Sequence, residues 1–211
     1  FYMDGNRLYF LIGDVSGKGV PASLFMAITR SLFRTLSQQV LSPAKIVTDM
    51  NNSISDNNES NMFVTLIVGI LDLETGKLKL CNAGHNPPIL IRPDGQVSFL
   101  EFKTQIFVGV IEEFAYTEDE TTLEKGSKLF LYTDGVTEAE NTEKELYGDE
   151  KLLKTLSDNN TSDVRTTVNG IEDSVADHVK EAEASDDLTI LLIQYEPGQQ
   201  TIKHISLWKE K

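Results

Sequence analysis

Apolar and polar residues follow two periodic patterns along this chain, and each pattern predicts one kind of secondary structure. Short apolar runs bounded by Asp-Gly, Glu-Thr-Gly or Pro-Asp-Gly turns predict β-strands. Apolar residues spaced three and four apart, often with Pro in the first turn, predict helices. The chain opens with a predicted hairpin over 1–10, and the apolar run of its second strand extends over 8–12. The other predicted strands are 63–72, 77–82, 89–92, 96–100, 128–132, 188–195 and 202–208. The predicted helices are 20–36, 42–54, 149–156 and 162–182.

The helix predicted for 20–36 carries two sets of apolar side chains. Leu24, Ile28, Leu32 and Leu36 recur at helical spacing, and Phe25, Met26 and Phe33 lie between them. We interpret both sets as core packing. The acidic stretch 112–124 predicts a loop and an edge strand. Many strands with two pairs of helices, and no internal repeat or linker, predict a single domain over residues 1–211, with 196–211 as a C-terminal tail or extra strand.

Composition narrows the class of protein. With 40% hydrophobic and 25% charged residues, the 211-residue chain is typical of a soluble globular protein. Its net charge of −14 argues against a nucleic-acid partner, because phosphates would be repelled. The single Cys81 excludes an internal disulfide framework and indicates a reducing, cytoplasmic compartment. The longest apolar run, Val64–Leu71, is too short to span a membrane. Because the chain opens in mid-pattern, we expect the natural N-terminus to lie upstream.

Three acidic motifs, far apart in the chain, lie beside predicted strands. They are Gly13–Gly19, Tyr132–Gly135 and Ser185–Thr189. An Asp at a strand end is held rigidly, so Asp14, Asp134 and Asp186 could together form a cage of hard oxygen ligands. Such a cage suits Mg²⁺ or Mn²⁺ rather than zinc, and metal-assisted phosphate chemistry requires one.

Each motif by itself has a simpler interpretation. Gly13–Gly19 could be a glycine-rich turn, or a nucleotide-binding P-loop, although its spacing differs from the P-loop pattern. Asp134-Gly135 alone is typical of a turn, and Asp186-Asp187 alone of a solvated loop or a helix cap. A carboxylate such as Asp14 in an apolar segment is costly without a partner, and a metal removes that cost.

Together the motifs resemble a known family. The chain is similar to the metal-dependent serine/threonine protein phosphatases of type 2C, and most to their bacterial branch, the sporulation stage II E and stress-response sigma-regulator phosphatases. The resemblance covers about residues 8–195. It rests on five segments in the family's order: Gly13–Ala22, Met62–Thr65, Asn82–His85, Tyr132–Glu138 and Asp186–Thr189.

The resemblance implies an α+β fold, a four-layer α-β-β-α sandwich of two mainly antiparallel sheets flanked by helix pairs. It implies two Mn²⁺ or Mg²⁺ ions in the intact protein. By the family's pattern Asp14 bridges both ions, the Val15 carbonyl, Asp134 and Asp186 bind them, and Asp187 supports the site. A metal-bound water would attack phosphorus in line, without a phosphoenzyme, so that Asp14, Asp134 and Asp186 are catalytic through it.

Three positions depart from the family or stay open. The family has a further metal-binding acid in a Gly-Gly-Asp segment before the first hairpin, and here Asp4 reads only as a turn residue. Ser16 occupies the place of a His thought to protonate the leaving group in eukaryotic relatives, which leaves the general acid unassigned. We interpret His85 as a turn residue whose ring bonds to backbone, with a position near the metals as the alternative.

The resemblance implies a phosphatase acting on phosphoserine in a regulatory protein, for which an anti-sigma-factor antagonist is one candidate. It also implies an upstream sensor or receiver domain, with a homodimer as an option. We expect regulation through the segment from the first motif to Asn61, because the predicted helix 20–36 follows Gly13–Gly19 directly. Two alternatives remain. One is a catalytically impaired interaction module with the same fold, and the other is a nucleotide-binding regulatory domain using Gly13–Gly19.

Overall fold

The computed structural model describes residues 1–56, 58, 61–160, 163–182 and 187–197. The predictions that involve Asp186, the strand 202–208 and the tail beyond 197 lie outside these residues. The elements, in chain order, are β1 (Tyr2–Asp4), β2 (Arg7–Val15), α1 (Val20–Leu36), α2 (Pro43–Ser55), β3 (Val64–Asp72), β4 (Lys77–Ala83), β5 (Ile89–Ile91), β6 (Val97–Phe99), β7 (Thr104–Gln105), β8 (Asp119–Thr122), β9 (Lys128–Tyr132), α3 (Gly148–Asp158), α4 (Val164–Val179) and β10 (Ile190–Gln194).

Residues 1–85 and 101–123 form one of two compact units. Its sheet has the order β1-β2-β3-β4-β7, and β8 pairs with β4. All pairings are antiparallel except the short β4–β7 contact. Because side chains alternate along a strand, odd-numbered residues of β2 such as Tyr9 and Val15 share the core that includes α1 and α2. Asp14 therefore lies on the opposite face of this sheet.

Helix α1 has its predicted bounds, and of its four predicted core positions at leucine and isoleucine, Leu32 and Leu36 pack against the core as expected. Phe33 is buried, and Phe25 and Met26 pack against the core as expected. Leu24 and Ile28 are instead 61% and 54% exposed, so their assignment to the core is wrong. The buried side of the helix also contains Thr29, which is fully buried. Its hydroxyl donates to the Phe25 carbonyl at 2.9 Å. That local bond makes a polar residue acceptable in the core.

Helix α2 is tied to the sheet through the carboxylate of Glu118. Ser42, its N-cap, donates to Glu118 Oε2 at 2.6 Å, and the Ala44 N–H donates to the same oxygen at 3.2 Å. Lys79 of β4 donates to Oε1 at 2.9 Å. Burial by itself would raise the pKa of Glu118, but the bonds from Ser42, Lys79 and Ala44 outweigh it and lower the pKa below its ordinary value. The charged carboxylate therefore stabilises the folded state.

Replacing Glu118 by Gln is expected to lower the free energy of unfolding at pH 7 by about 1–2 kcal/mol, since bonds to a charged group are lost from a partly buried site. Because the folded pKa lies below the unfolded one, the contribution of Glu118 is present above the unfolded value and lost as pH falls through the folded value. Urea unfolding at pH 7 and pH 3.5 measures both effects.

The matched control is Glu120→Gln, two residues further along the chain in strand β8. Glu120 pairs with Lys77 at 2.8 Å, but both side chains are about half exposed, at 48% and 49%. Such a surface pair contributes about 0–1 kcal/mol. Equal losses for the two variants at pH 7 would contradict the role assigned to Glu118.

Residues 86–100 and 124 onward form the second unit. Its sheet has the antiparallel order β10-β9-β5-β6. Helices α3 and α4 supply Leu152, Leu156, Val168 and Ile171 to a core with β9 and β10. Asp163 is the N-cap of helix α4, and its carboxylate accepts from the Arg165 and Thr166 N–H groups. The strands predicted over 89–92, 96–100, 128–132 and 188–195 are confirmed within two residues at each end.

The α+β class is confirmed, with two mainly antiparallel sheets and two helix pairs among the described residues. The short strand β7 was not predicted from the sequence. No helix in the described part of the chain combines the length and apolar character needed to cross a membrane. The assignment of residues 1–211 to one domain stays a prediction.

Candidate functional site

The first acidic motif lies at the end of β2. Asp14 is the last residue but one of this strand, is half-buried and stands directly opposite Thr65 of β3. The pairing continues one residue further, because the Ser16 N–H donates to the Phe63 carbonyl at 2.9 Å. In return, the Phe63 N–H donates to the Ser16 hydroxyl at 2.9 Å. The Ser16 side chain thus fixes the backbone that follows Asp14.

Glycines shape this motif in two ways. A Cβ at Gly13 would lie 2.7 Å from the Thr65 carbonyl oxygen and 2.9 Å from Leu66 Cβ, so only glycine allows β2 to approach β3 this closely. Gly17 and Gly19 have φ of +84° and +80°, which other residues rarely adopt. They turn the chain from Val15 into α1, whose N-cap is Gly19. The glycine-turn interpretation is therefore correct for the backbone.

The register of β2 fixes the direction of the Val15 carbonyl. Ser16 and Phe63 form a hydrogen-bonded pair, so even-numbered residues of β2 turn their N–H and C=O groups toward β3. Odd-numbered residues turn theirs toward the β1 side, where the pairing runs only from Arg7 to Tyr9. In the described structure no strand of this sheet pairs with Val15 on that side. Its carbonyl oxygen is thus directed away from β3 at the open edge of the sheet.

His85 is buried, with 4% of its surface exposed, at the turn that follows β4. Asn82 holds the turn, because its Oδ1 accepts from the His85 N–H at 2.8 Å and its Nδ2 donates to the His85 carbonyl at 3.0 Å. The ring Nδ1 lies 3.0 Å from Thr65 Oγ1. The predicted turn position of His85 is therefore confirmed, and its ring Nδ1 contacts a side chain on β3.

The second and third motifs are bound together within the second unit. The Thr133 N–H donates to the Thr189 carbonyl at 3.1 Å, and the Thr189 N–H donates to the Thr133 hydroxyl at 3.0 Å. The same hydroxyl donates to the Asp187 carbonyl at 3.1 Å. We call these three bonds the Thr133 clasp. The clasp holds the backbone just before Asp134 against the backbone from Asp187 to Thr189.

Gly135 packs directly on the clasp. A Cβ at this position would lie 2.4 Å from the Asp187 carbonyl oxygen and 2.9 Å from its carbon. Atoms that close would have to move, and both belong to the backbone. Asp134 itself is half-buried, and its carbonyl accepts from the Glu138 N–H at 2.7 Å, which closes a turn after β9. The Asp134 backbone is therefore fixed on both sides.

The candidate metal ligands that the structure describes are divided between the two units. Asp14 and Val15 lie in the first, Asp134 and Asp187 lie in the second, and Asp187 is exposed. Among the described residues no cluster of three or more His, Cys, Asp or Glu side chains could hold a metal ion. The predicted ligand Asp186 lies outside the described residues. The donors that are described, two half-buried carboxylates and an outward-facing carbonyl, are oxygens that fit Mn²⁺ or Mg²⁺.

Sequence reasoning missed the residues that hold the acidic motifs in place. Ser16, Thr65 and Thr133 each bond a polar side chain to a distant segment, and neither periodicity nor spacing signals such a contact. For Thr133 and Thr65 the only signal was their place inside motifs of the resembling family.

Comparison of this sequence with known protein families finds one family that matches most of the chain. A sequence profile described as stage II sporulation protein E (SpoIIE) matches residues 4–196. A protein named IcfG from Synechocystis sp. is 28% identical over 92% of this chain. The phosphoserine phosphatase RsbU of Bacillus subtilis is 26% identical, also over 92%. The matches cover 34% and 57% of those relatives, so the chain spans only part of their lengths.

Solved structures share the fold. The SiaA-PP2C domain of Pseudomonas aeruginosa is 20% identical with a TM-score of 0.75, covering 90% of this chain and 80% of that one. The catalytic domain of the phosphatase PstP, in complex with two manganese ions, is 14% identical with a TM-score of 0.62 and 91% coverage of both chains. RsbX in complex with magnesium is 20% identical with a TM-score of 0.65, covering 90% and 82%. At these identities the likeness establishes the fold.

Proposed function

The chain belongs to the stage II sporulation protein E (SpoIIE) family, and from that membership we propose that it is a metal-dependent protein serine/threonine phosphatase. Its substrate class is phosphoserine on a regulatory protein, and an anti-sigma-factor antagonist is the candidate that the resemblance suggests. A phosphoserine phosphatase among its relatives supports this substrate class.

We assign the metal ligands to carboxylates at the ends of strands. Asp14, Asp134 and Asp186 would hold Mn²⁺ or Mg²⁺ together with the Val15 carbonyl, and Asp187 would support Asp186. When bound, such ions supply an activated water for attack on phosphorus and neutralise charge on the phosphoryl oxygens. The manganese and magnesium complexes of proteins with this fold support the choice of metal. The chain's own task is to hold each ligand at a fixed position.

The Thr133 clasp is the observation that carries this proposal. Three hydrogen bonds and the close approach of Gly135 hold the backbones of two acidic motifs against each other, although more than fifty residues separate Thr133 from Asp187. A solvated loop would not need this arrangement. A site that must keep carboxylates within a fraction of an ångström does need it, because misplaced ligands lose catalytic power steeply.

The direct test is hydrolysis of p-nitrophenyl phosphate and of a phosphoserine peptide, with Mn²⁺ and with excess chelator. We expect turnover that requires the metal. Metal-independent turnover, or none by a protein that binds Mn²⁺, would contradict the proposal. In the second case a catalytically impaired interaction module becomes the better account. Tight ATP binding without phosphatase activity would instead favour the nucleotide-binding alternative.

We further propose that α1 transmits regulation to the site, which rests on the proposed function. Helix α1 follows the glycine turn directly, so its position affects where Asp14 and Val15 lie. Its side chains Val20, Leu24 and Ile28 are apolar and 72%, 61% and 54% exposed, as expected of a surface that another segment or partner covers. Two positions of this helix would give the two states that switching needs.

Hydrogen exchange on the full-length protein tests this role. With the activating input, we expect amide protection to change across Val20–Leu36, together with the change in activity. Helix α4, Val164–Val179, is the internal reference and should keep its protection. Identical protection of α1 in both states, alongside a clear change in activity, would place the switch elsewhere.

A further inference from the structure

A chain of polar contacts joins the buried ring of His85 to the backbone of Asp14. His85 Nδ1 lies 3.0 Å from Thr65 Oγ1, and that oxygen lies 3.5 Å from the carbonyl oxygen of Asp14. Thr65 stands directly opposite Asp14 in the β2–β3 pairing, so both side chains are on the same face of the sheet. This is the face opposite α1 and α2, and the one on which the Asp14 carboxylate lies.

The turn after β4 does not need the His85 ring. Asn82, itself 3% exposed, already binds both the N–H and the carbonyl of His85. Gly84 supplies the positive φ of +76° that the turn requires. Burying an imidazole is costly unless it is hydrogen-bonded. Its contact with Thr65, at the level of Asp14, therefore calls for an explanation other than the turn.

The contacts at Thr65 restrict the protonation of His85. The threonine hydroxyl carries one proton and has two neighbours, His85 Nδ1 and the Asp14 carbonyl oxygen. A carbonyl can only accept, so both contacts are hydrogen bonds only when Nδ1 donates to Thr65 and Thr65 donates to Asp14. The Asp14 carbonyl can also accept from the Thr65 N–H of the strand pairing, because it has two lone pairs.

We propose that Thr65 and His85 are positioning residues for the metal-binding end of β2, an inference that rests on the proposed function. The Thr65 N–H of the strand pairing holds the Asp14 carbonyl toward β3, and the Thr65 hydroxyl adds a longer contact of 3.5 Å to the same oxygen, so that together they orient the peptide plane between Asp14 and Val15. That plane sets the direction of the Val15 carbonyl, which faces the other way. His85, on the neighbouring strand's turn, fixes the Thr65 hydroxyl. Partners of this kind around metal ligands affect affinity strongly.

The test compares Thr65→Val, which keeps the shape but loses the hydroxyl, with Thr65→Ser, which keeps the hydroxyl. Mn²⁺ binding is measured by titration calorimetry on the purified protein. We expect Thr65→Val to weaken Mn²⁺ binding by about 10–100-fold, the range for loss of an outer-shell partner, and Thr65→Ser to restore it to within about threefold of the wild type. Thr121→Val, the same change at a half-buried position of β8, is the matched control and should leave binding unchanged.

A second readout needs no metal. Nitrogen NMR of the metal-free protein should find the His85 proton on Nδ1, and Thr65→Val should remove that preference. Unchanged Mn²⁺ affinity in a folded Thr65→Val protein, or a His85 that carries its proton only on the other ring nitrogen, would overturn the proposal.

Further variants and the NMR measurement decide the matter if Thr65→Val loses stability or if the wild-type protein binds no Mn²⁺. If Thr65→Val lowers Tm sharply, His85→Asn and His85→Leu decide the matter, because the Asn amide can reach the place of Nδ1 and Leu cannot donate. Weaker Mn²⁺ binding for Leu alone supports the proposal, and equal binding overturns it. If the wild-type protein binds no Mn²⁺, the proposed function fails first, and the protonation of His85 still tests the contacts by themselves.

Discussion

Asp134→Asn is expected to remove most of the metal-dependent phosphatase activity, by at least about 100-fold, which is the upper end for losing a mere outer-shell partner. The amide keeps the size of the carboxylate but not its negative charge, so its attraction for the divalent cation is weaker. Asp134 is half-buried with its backbone fixed by the turn to Glu138 and by the clasp, so the change should disturb little else. The measurement is kcat/KM on a phosphoserine peptide across a series of Mn²⁺ concentrations.

The matched control is Asp94→Asn. Asp94 also precedes a glycine in the same unit, but it lies in the exposed turn between β5 and β6. Its Oδ1 accepts from the Gln96 N–H at 3.0 Å, a bond that Asn can keep. This variant should retain wild-type activity. Full metal-dependent turnover in Asp134→Asn would exclude that carboxylate from the site.

Gly135→Ala is expected to weaken both metal binding and folding, because its methyl group would lie 2.4 Å from the Asp187 carbonyl oxygen. Relieving this overlap must separate the Asp134 turn from Asp187 and disturb the clasp. Forcing an extra methyl group into a packed site costs about 1–3 kcal/mol, and the displaced motifs should bind Mn²⁺ more weakly. Urea unfolding and calorimetric titration with Mn²⁺ measure the two effects.

Gly170→Ala adds the same methyl group elsewhere in that unit. Its nearest neighbours, at 3.1–3.2 Å, are the end atoms of the flexible Asn159 side chain. The Asn159 side chain, whose amide donates to the Thr155 carbonyl, has to shift only a few tenths of an ångström, and the helix preference of alanine over glycine, about 0.5–1 kcal/mol, offsets that shift. If Gly135→Ala and Gly170→Ala behave alike in both measurements, the close approach of Gly135 to Asp187 contributes neither to stability nor to Mn²⁺ binding.

The fold could be predicted from the sequence where local rules decide. Turn residues and Pro positions placed α1, α2 and most strands within a few residues. The face of α1 could not be chosen in this way, because both Leu24-Ile28 and Phe25-Phe33 recur at helical spacing. The structure buries the second set together with Thr29, whose hydroxyl bonds locally. Strand β7 has two polar residues and owes its pairing to the neighbouring β4, so no periodic signal exists.

The acidic residues of the candidate site could be predicted, but not what holds them. Asp14 and Asp134 stand out because carboxylates beside apolar strands are costly. The bonds of Ser16 to Phe63 and of Thr133 to Asp187 join segments far apart in the chain, so they follow from tertiary structure alone. The turn position of His85 could be predicted, but its contact with Thr65 could not, since Thr65 lies on another strand.

The most direct test of the central claim is a crystal structure of the protein with Mn²⁺, with anomalous diffraction at the manganese edge. The account predicts manganese within about 2.0–2.6 Å of carboxylate oxygens of Asp14, Asp134 and Asp186, with the Val15 carbonyl oxygen among the ligands. Manganese bound elsewhere, or an ordered structure in which Asp14 and Asp134 share no ion at saturating Mn²⁺, would contradict it.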